Sequence, residues 1–192
     1  MKTKRFVLLA FFVAIEIVLA NTPLGFVPIG ALRATTLHIP VILAGLLMGK
    51  REGLIMGFVF GMCSFITATF TPTLTSFVFS PFYAQGNMFS LLICFGPRLL
   101  LGYLSGLVGQ RKGSYGLFGA LLTLIHTALV LTGIYVFFHD AYASVIGTQG
   151  LGLFLLGIVF TNGISEAILA SIMIAILYKP LKKIMARGGF DE

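Results

Sequence analysis

Long apolar runs, separated by short polar clusters, dominate the pattern along the chain. A membrane-spanning helix needs about 20 mainly apolar residues, because the hydrocarbon core is about 30 Å thick and each residue rises about 1.5 Å. Six runs approach or exceed this length, and they cover residues 6–20, 36–49, 53–70, 88–108, 115–138 and 151–178. The pattern therefore predicts an all-α membrane protein, a bundle of six transmembrane helices that forms one domain over residues 1–192.

The first two runs each allow a second interpretation. A basic amino terminus before residues 6–20 also fits a signal peptide, but no convincing small-residue cleavage site follows Ala20. The second run is short, and residues 37–48 alone fit a re-entrant segment. Removing this span would put alternate basic clusters on opposite faces of the membrane, so the charge pattern favours six spans.

Composition and charge exclude a soluble domain. The chain is 58% hydrophobic and only 10% charged, whereas soluble domains are about 25% charged. The net charge is +7, but the basic residues do not form the single soluble face typical of a nucleic-acid-binding protein. Eleven of the 13 lie in four clusters between the apolar runs: Lys2, Lys4 and Arg5; Lys50 and Arg51; Arg111 and Lys112; and Lys179, Lys182, Lys183 and Arg187. Six spans put all four clusters on one side, which the positive-inside rule makes cytoplasmic, together with both termini.

Three connections are then predicted outside the membrane, at residues 21–35, 71–87 and 139–150. The first contains Arg33, and the second contains two prolines and a group of aromatic residues. Loops of this kind can cover a binding site. Aromatic residues also anchor proteins at the membrane interface, so the second loop has two interpretations.

Small residues recur at four-residue spacing in several runs. Gly45 and Gly49, the glycines at 53, 57 and 61, and the pair at 102 and 106 follow this spacing, as do Ala10 and Ala14. The spacing puts small residues on one helix face and allows neighbouring helices to approach closely. Ordinary packing inside the bundle explains most such patterns, and the spacing alone does not say whether Ala10 and Ala14 meet another protein.

Polar residues at membrane depth are the candidates for function, because burying an ionisable group in a bilayer is costly. Asn162 and Glu166 are four residues apart and share one helix face. Arg98 and His126 lie near the middle of the fourth and fifth runs, and His38 begins the second. This set predicts a site for a small hydrogen-bonding ligand that enters from outside. The alternative for Arg98 and Glu166 is a buried structural ion pair.

The sequence lacks the common signatures of enzymes. It contains no GxxxxGK[ST] phosphate loop, no HExxH zinc motif and no GxSxG nucleophile motif. Its three histidines are far apart, and its two cysteines, Cys63 and Cys94, lie in apolar runs. We therefore expect no catalytic residues, no metal site and no disulfide framework.

Over essentially its whole length, the chain resembles the substrate-binding S components of energy-coupling factor (ECF) vitamin transporters. The resemblance rests on the chain length, the six spans and four segments. These segments are TLHIPVI at 36–42 with the glycines that follow, PTLTSFVFSPF at 72–82, CFGPR at 94–98, and TNG at 161–163 leading to Glu166. Within the family, the pattern looks most like the pantothenate-type members.

The resemblance implies a function, partners and a location. S components capture a vitamin from outside and associate with a transmembrane coupling protein and two ATPase subunits in the prokaryotic plasma membrane. The chain itself would hold no cofactor, because the partner subunits use the ATP. The family's Ala-x-x-x-Ala docking motif maps onto Ala10 and Ala14. The family's ligand site lies in the outer half, where the candidates are Arg98, His126, Asn162 and Glu166, with Asn87 and Gln85 at the rim and Arg33 and His38 nearby.

Other interpretations remain open from sequence. The same mechanism could serve a pyridoxine or pyrimidine precursor, folate or cobalamin. An independent secondary carrier is a different class, but the first three and last three spans show no repeated motif of the kind carriers often have. A purely structural membrane protein does not account for the buried polar residues.

Overall fold

A computed structural model describes residues 3–29 and 32–188 of the chain, with the backbone alone for the described residues between 26 and 34. This part of the chain contains seven helices and one hairpin. The helices are α1 Thr3–Ala20, α2 His38–Met48, α3 Lys50–Phe70, α4 Met88–Val108, α5 Tyr115–Phe137, α6 His139–Ile146 and α7 Leu151–Gly188. Strands β1 (Phe26–Ile29) and β2 (Leu32–Thr35) pair antiparallel, with Phe26 opposite Thr35.

The α-helical class is confirmed, but the predicted number of helices is wrong: the described residues form seven, not six. The additional helix is α6, whose eight residues lie in the predicted third connection. It is short and mixes polar with apolar residues, so a search for long apolar runs does not detect it. The hairpin was likewise predicted only as a connection. At the other end of the chain, α7 continues ten residues beyond the predicted limit at Tyr178, because most of the residues that follow are Leu, Lys, Met, Ala and Arg, which favour a helix.

Four helices in the described part of the chain are long and apolar enough to cross a membrane: α3, α4, α5 and α7. Helix α1 carries Lys4, Arg5 and Glu16 within its 18 residues. Helix α2 has 11 residues and extends only about 16 Å, about half of a hydrocarbon core. Every residue of α2 except Leu47 is buried, so the other helices surround it. Six spans therefore remain a prediction where α1 and α2 are concerned.

The described members of the four basic clusters lie at one end of the bundle. Lys4 Nζ donates to the carbonyl of Gly188 over 2.8 Å, which joins the start of α1 to the end of α7. Arg5 donates to the carbonyl of Met48 at the end of α2 and forms an ion pair with Glu52 at 3.0 Å. We call this the basic end, and we call the opposite end, with the hairpin, residues 71–87 and α6, the hairpin end. The sequence-based grouping of the charges thus agrees with the packing.

The glycines at four-residue spacing allow α3 and α4 to pack in direct backbone contact. A Cβ atom added at Gly53 would clash with the carbonyl oxygen of Gly102, and one added at Gly102 would clash with that of Gly53. Gly57 faces the backbone carbonyl of Arg98 in the same way. These glycines therefore serve packing inside the bundle, and they hold Arg98 at a fixed height against α3.

Replacing Gly102 with alanine is expected to destabilise the protein by about 1–3 kcal/mol, because the new methyl group must separate α3 from α4. The matched control is Gly96→Ala on the same helix, where the nearest atom to an added Cβ is Leu92 Cδ1 at 3.8 Å. Thermal unfolding in detergent measures the difference. Equal melting temperatures for the two variants would contradict the close packing.

Two apolar clusters make up the core. One surrounds α2 and includes Met56 and Phe60 of α3. The other joins Phe77 and Val78 of the 71–87 loop to Ile134 of α5 and to α6. Phe60 of the first cluster and Ile134 of the second both line one cavity, so the cavity lies where the clusters meet.

Candidate ligand-binding site

A cavity of about 440 Å³ lies between α3, α4, α5 and α7, toward the hairpin end. Its volume falls in the range of about 300–1,000 Å³ typical of small-molecule sites. Four of the predicted site residues line it together: Arg98, His126, Asn162 and Glu166. They come from three helices and are separated by up to 68 positions in the sequence, yet they share one chamber.

Arg98 provides a buried cation at the cavity wall. Its side chain is only 5% exposed, and its guanidinium lies between the rings of Phe60 at 5.1 Å and Phe79 at 4.8 Å. Nη1 donates to the carbonyl of Ile93 over 2.8 Å. Among the described residues, no ion pair links Arg98 to Glu166. The arginine is therefore held by aromatic rings and one carbonyl, and its charge has no carboxylate partner in the described part of the protein.

Glu166 is half-buried on the α7 side of the cavity and connects it to the hairpin. The backbone N–H of Thr35, the last residue of β2, donates to Glu166 Oε1 over 2.6 Å. The base of the hairpin is closed beside it, where Thr36 Oγ1 donates to the carbonyl of Leu24 over 2.7 Å. One carboxylate oxygen thus fixes the hairpin at the cavity.

A π-helical segment, Val159–Gly163, interrupts α7 next to Glu166. Such segments are rare and often occur at functional sites, because the wider turn changes the direction of its side chains. Asn162 lies in this segment, is 7% exposed and lines the cavity. Its Oδ1 accepts a hydrogen bond from Thr161 Oγ1 at 3.2 Å, and the described hydrogen bonds leave its Nδ2 free.

Residues 71–87 cover the cavity rather than serving only as an interface anchor. Thr73, Ser76 and Phe79 from this segment line the wall. The segment is held at both sides, because the Tyr83 hydroxyl donates to the carbonyl of Ala68 over 2.9 Å and Ser90 Oγ donates to that of Phe77 over 2.7 Å. Phe82 of the same segment is 73% exposed, so the segment also has an exposed aromatic side chain of the kind that anchors proteins at a membrane interface.

The prediction missed the hydroxyl-bearing wall of the cavity. Ser64 and Thr67 of α3 line it together with Thr71, which directly follows the helix, at intervals of three and four residues. That spacing is visible in the sequence as a polar stripe within an apolar run. Thr35 was also missed, since its contribution is a backbone N–H that no side-chain pattern reveals.

The remaining predicted site residues lie elsewhere. His38 is fully buried at the start of α2, and neither ring nitrogen has a hydrogen-bond partner among the described residues. It is not part of the cavity wall.

Gln85 and Asn87 are exposed, and Asn87 caps α4 by accepting from the N–H of Phe89 over 2.8 Å. The side chain of Arg33 lies outside the described residues. Ala10 and Ala14 are exposed on α1, one turn apart.

A bundle of apolar helices encloses a chamber whose buried cation has no carboxylate partner among the described residues, an arrangement typical of a membrane protein that binds a small polar ligand. Comparison with known proteins agrees with this class. Residues 4–178 match the family described as the ECF transporter, substrate-specific component. The match covers most of the chain, and the chain belongs to this family, which confirms the sequence resemblance. It is thus a multi-pass membrane component of a transporter and not an enzyme.

Two curated relatives belong to the pantothenate-type members. The chain is 35% identical to the pantothenic acid transporter PanT of Lactococcus lactis subsp. cremoris over 193 residues, which cover 95% of each chain. It is 30% identical to the pantothenate transporter PanT of Leuconostoc mesenteroides subsp. mesenteroides over 206 residues, 98% of this chain and 97% of the relative.

Proposed function

We propose that this chain is the substrate-binding subunit of an ECF-type ABC importer and that it captures pantothenate from outside a prokaryotic plasma membrane. The family match and the names of the two bacterial relatives support the class and the vitamin. The observation that carries the proposal is the cavity with Arg98 and Glu166, a buried cation and a carboxylate that do not pair with each other.

Pantothenate has the chemistry that this cavity requires. It has a carboxylate at one end, an amide in the middle and two hydroxyl groups at the other end. Arg98 can donate charge-assisted hydrogen bonds to the carboxylate, and Asn162 can both donate to and accept from the amide. Glu166 can accept from a hydroxyl group through the oxygen that Thr35 does not use.

The cavity also argues against the other vitamins. Pyridoxine and neutral pyrimidine precursors have no carboxylate, so they would leave the Arg98 charge without a partner, at a cost of several kcal/mol in a buried site. Folate and cobalamin are both larger than pantothenate, and a cavity of about 440 Å³ favours the smaller molecule.

Transport requires partners in this proposal. The exposed face of α1 with Ala10 and Ala14 docks on a transmembrane coupling protein, and two ATPase subunits supply the energy, so ATP is used outside this chain. All six predicted spans cross the membrane, with the basic end and both termini in the cytoplasm. The hairpin end then faces outside, where the vitamin enters.

Reconstitution in proteoliposomes tests the proposed mechanism. The purified chain alone should bind labelled pantothenate without moving it across the membrane. Addition of the coupling protein and the two ATPases, with ATP, should start uptake. Transport by the chain alone would overturn the proposal and identify an independent carrier.

Asn87→Ala separates the capping contact of Asn87 from a role at the rim of the site. The variant should lose about 1 kcal/mol of stability, because the N–H groups at the start of α4 lose their side-chain acceptor. Pantothenate affinity should stay within about twofold of the original, since that change corresponds to less than a typical hydrogen bond. Asn87→Ser, which retains a capping oxygen, is the control for stability. A selective loss of affinity in both variants would instead make Asn87 a ligand contact.

A further inference from the structure

Three polar atoms on one wall of the cavity are buried without a hydrogen-bond partner among the described residues. They are Arg98 Nε, His126 Nε2 and Ser64 Oγ. The three side chains are 5%, 4% and 6% exposed, respectively, and all three residues line the cavity. They belong to α4, α5 and α3, so three separate helices contribute to one group.

Phe60 lies at the centre of this group. Its ring is 5.6 Å from the His126 ring and 5.1 Å from the Arg98 guanidinium carbon. Ser64 follows one turn later on the same face of α3. We call Arg98, His126 and Ser64 the donor wall, because each side chain can donate a hydrogen bond.

A buried polar group without a partner costs about 1–3 kcal/mol. Three such groups on one wall, from three helices, are accounted for if a bound molecule supplies acceptor atoms there. Glu166, on the α7 side, instead presents a carboxylate and takes a donor from Thr35. The two sides of the cavity thus have opposite hydrogen-bonding character.

We propose that the donor wall is the carboxylate subsite, in which Ser64 and His126 bind the ligand carboxylate together with Arg98. A carboxylate offers about four lone-pair positions on two oxygens, enough to accept from all three side chains. This inference rests on the proposed function and deepens it: it fixes the orientation of the ligand, with its hydroxyl end toward Glu166. It also makes Ser64 and His126 determinants of selectivity for an acid over the corresponding alcohol.

The test compares pantothenate with pantothenol, in which a primary alcohol replaces the carboxylate, by calorimetric titration of the purified protein. Ser64→Ala should weaken pantothenate binding about tenfold, the effect of one hydrogen bond to a charged group, while changing pantothenol binding by less than about twofold. Ser64→Thr, which restores the hydroxyl, should recover most of the loss. His126→Phe keeps a flat ring beside Phe60 but cannot donate a hydrogen bond. It should likewise weaken pantothenate binding and leave pantothenol binding nearly unchanged.

Ser105→Ala is the matched control. Ser105 is a fully buried serine on α4, outside the cavity wall, and its hydroxyl donates to the carbonyl of Leu101 over 2.7 Å. This variant should leave the ratio of the two affinities unchanged.

The outcomes separate this inference from the proposed function. If the unmodified protein binds pantothenate tightly but Ser64→Ala loses nothing, or loses both ligands equally, the carboxylate subsite is overturned and the proposed function stands. If the unmodified protein is folded and binds another vitamin instead of pantothenate, the proposed ligand fails and the subsite fails with it.

Discussion

Arg98→Ala is expected to weaken pantothenate binding at least about tenfold, because a hydrogen bond to a charged group contributes about 1.5–3 kcal/mol. The guanidinium is almost completely buried between two aromatic rings, where low polarity strengthens its attraction for a carboxylate. The variant should still fold, since removing the Arg98 side chain leaves no carboxylate unpaired among the described residues. Titration of the purified variant gives the affinity, and its melting temperature reports folding.

Two further variants make the role of Arg98 specific. Arg98→Lys retains the charge but not the planar guanidinium, so it should recover part of the affinity and remain weaker than the original. Arg111→Ala removes an exposed arginine at the basic end and should leave binding unchanged. Unchanged affinity in folded Arg98→Ala would refute the role of Arg98 as the carboxylate partner.

Ala10→Trp is expected to abolish pantothenate uptake while leaving binding intact. Ala10 and Ala14 are exposed on α1 and line none of the cavity. Small residues at this spacing allow another helix to approach closely, and an indole ring would hold that helix away. Uptake in proteoliposomes that contain the coupling protein and ATPases measures the first effect, and titration of the isolated variant measures the second.

The matched control is Ala128→Trp, which changes an exposed alanine on a different helix, α5. Ala128 lies on a different helix from the proposed docking surface, so uptake should continue. Normal uptake by Ala10→Trp, or equal loss in both variants, would contradict docking through the α1 face.

The long helices could be predicted from sequence because each apolar run approaches or exceeds the length of a membrane span. Helix α2 was found for another reason: its 11 residues are almost all apolar, and the structure shows that neighbouring helices bury them. Helix α6 and the hairpin were not predicted, because both elements are short and mix polar with apolar residues. Their conformations depend on contacts at the hairpin end, such as the bond from Thr35 to Glu166, that no local pattern encodes.

The candidate site was predicted only where burial is costly. Arg98, His126, Asn162 and Glu166 stand out in apolar runs because charged and amide groups are rare there, and all four line the cavity. Ser64 does not stand out, because a serine in a helix can donate to its own backbone and is tolerated in membrane helices. The sequence also could not show that Arg98 and Glu166 form no ion pair with each other, since this depends on how packing places α4 relative to α7.

Calorimetric titration of the purified protein with pantothenate, beside a panel of other vitamins, tests the central claim most directly. The account predicts tight binding of pantothenate with one ligand per protein molecule and much weaker binding of uncharged vitamins. Tight binding of a vitamin without a carboxylate, and none of pantothenate, would contradict it.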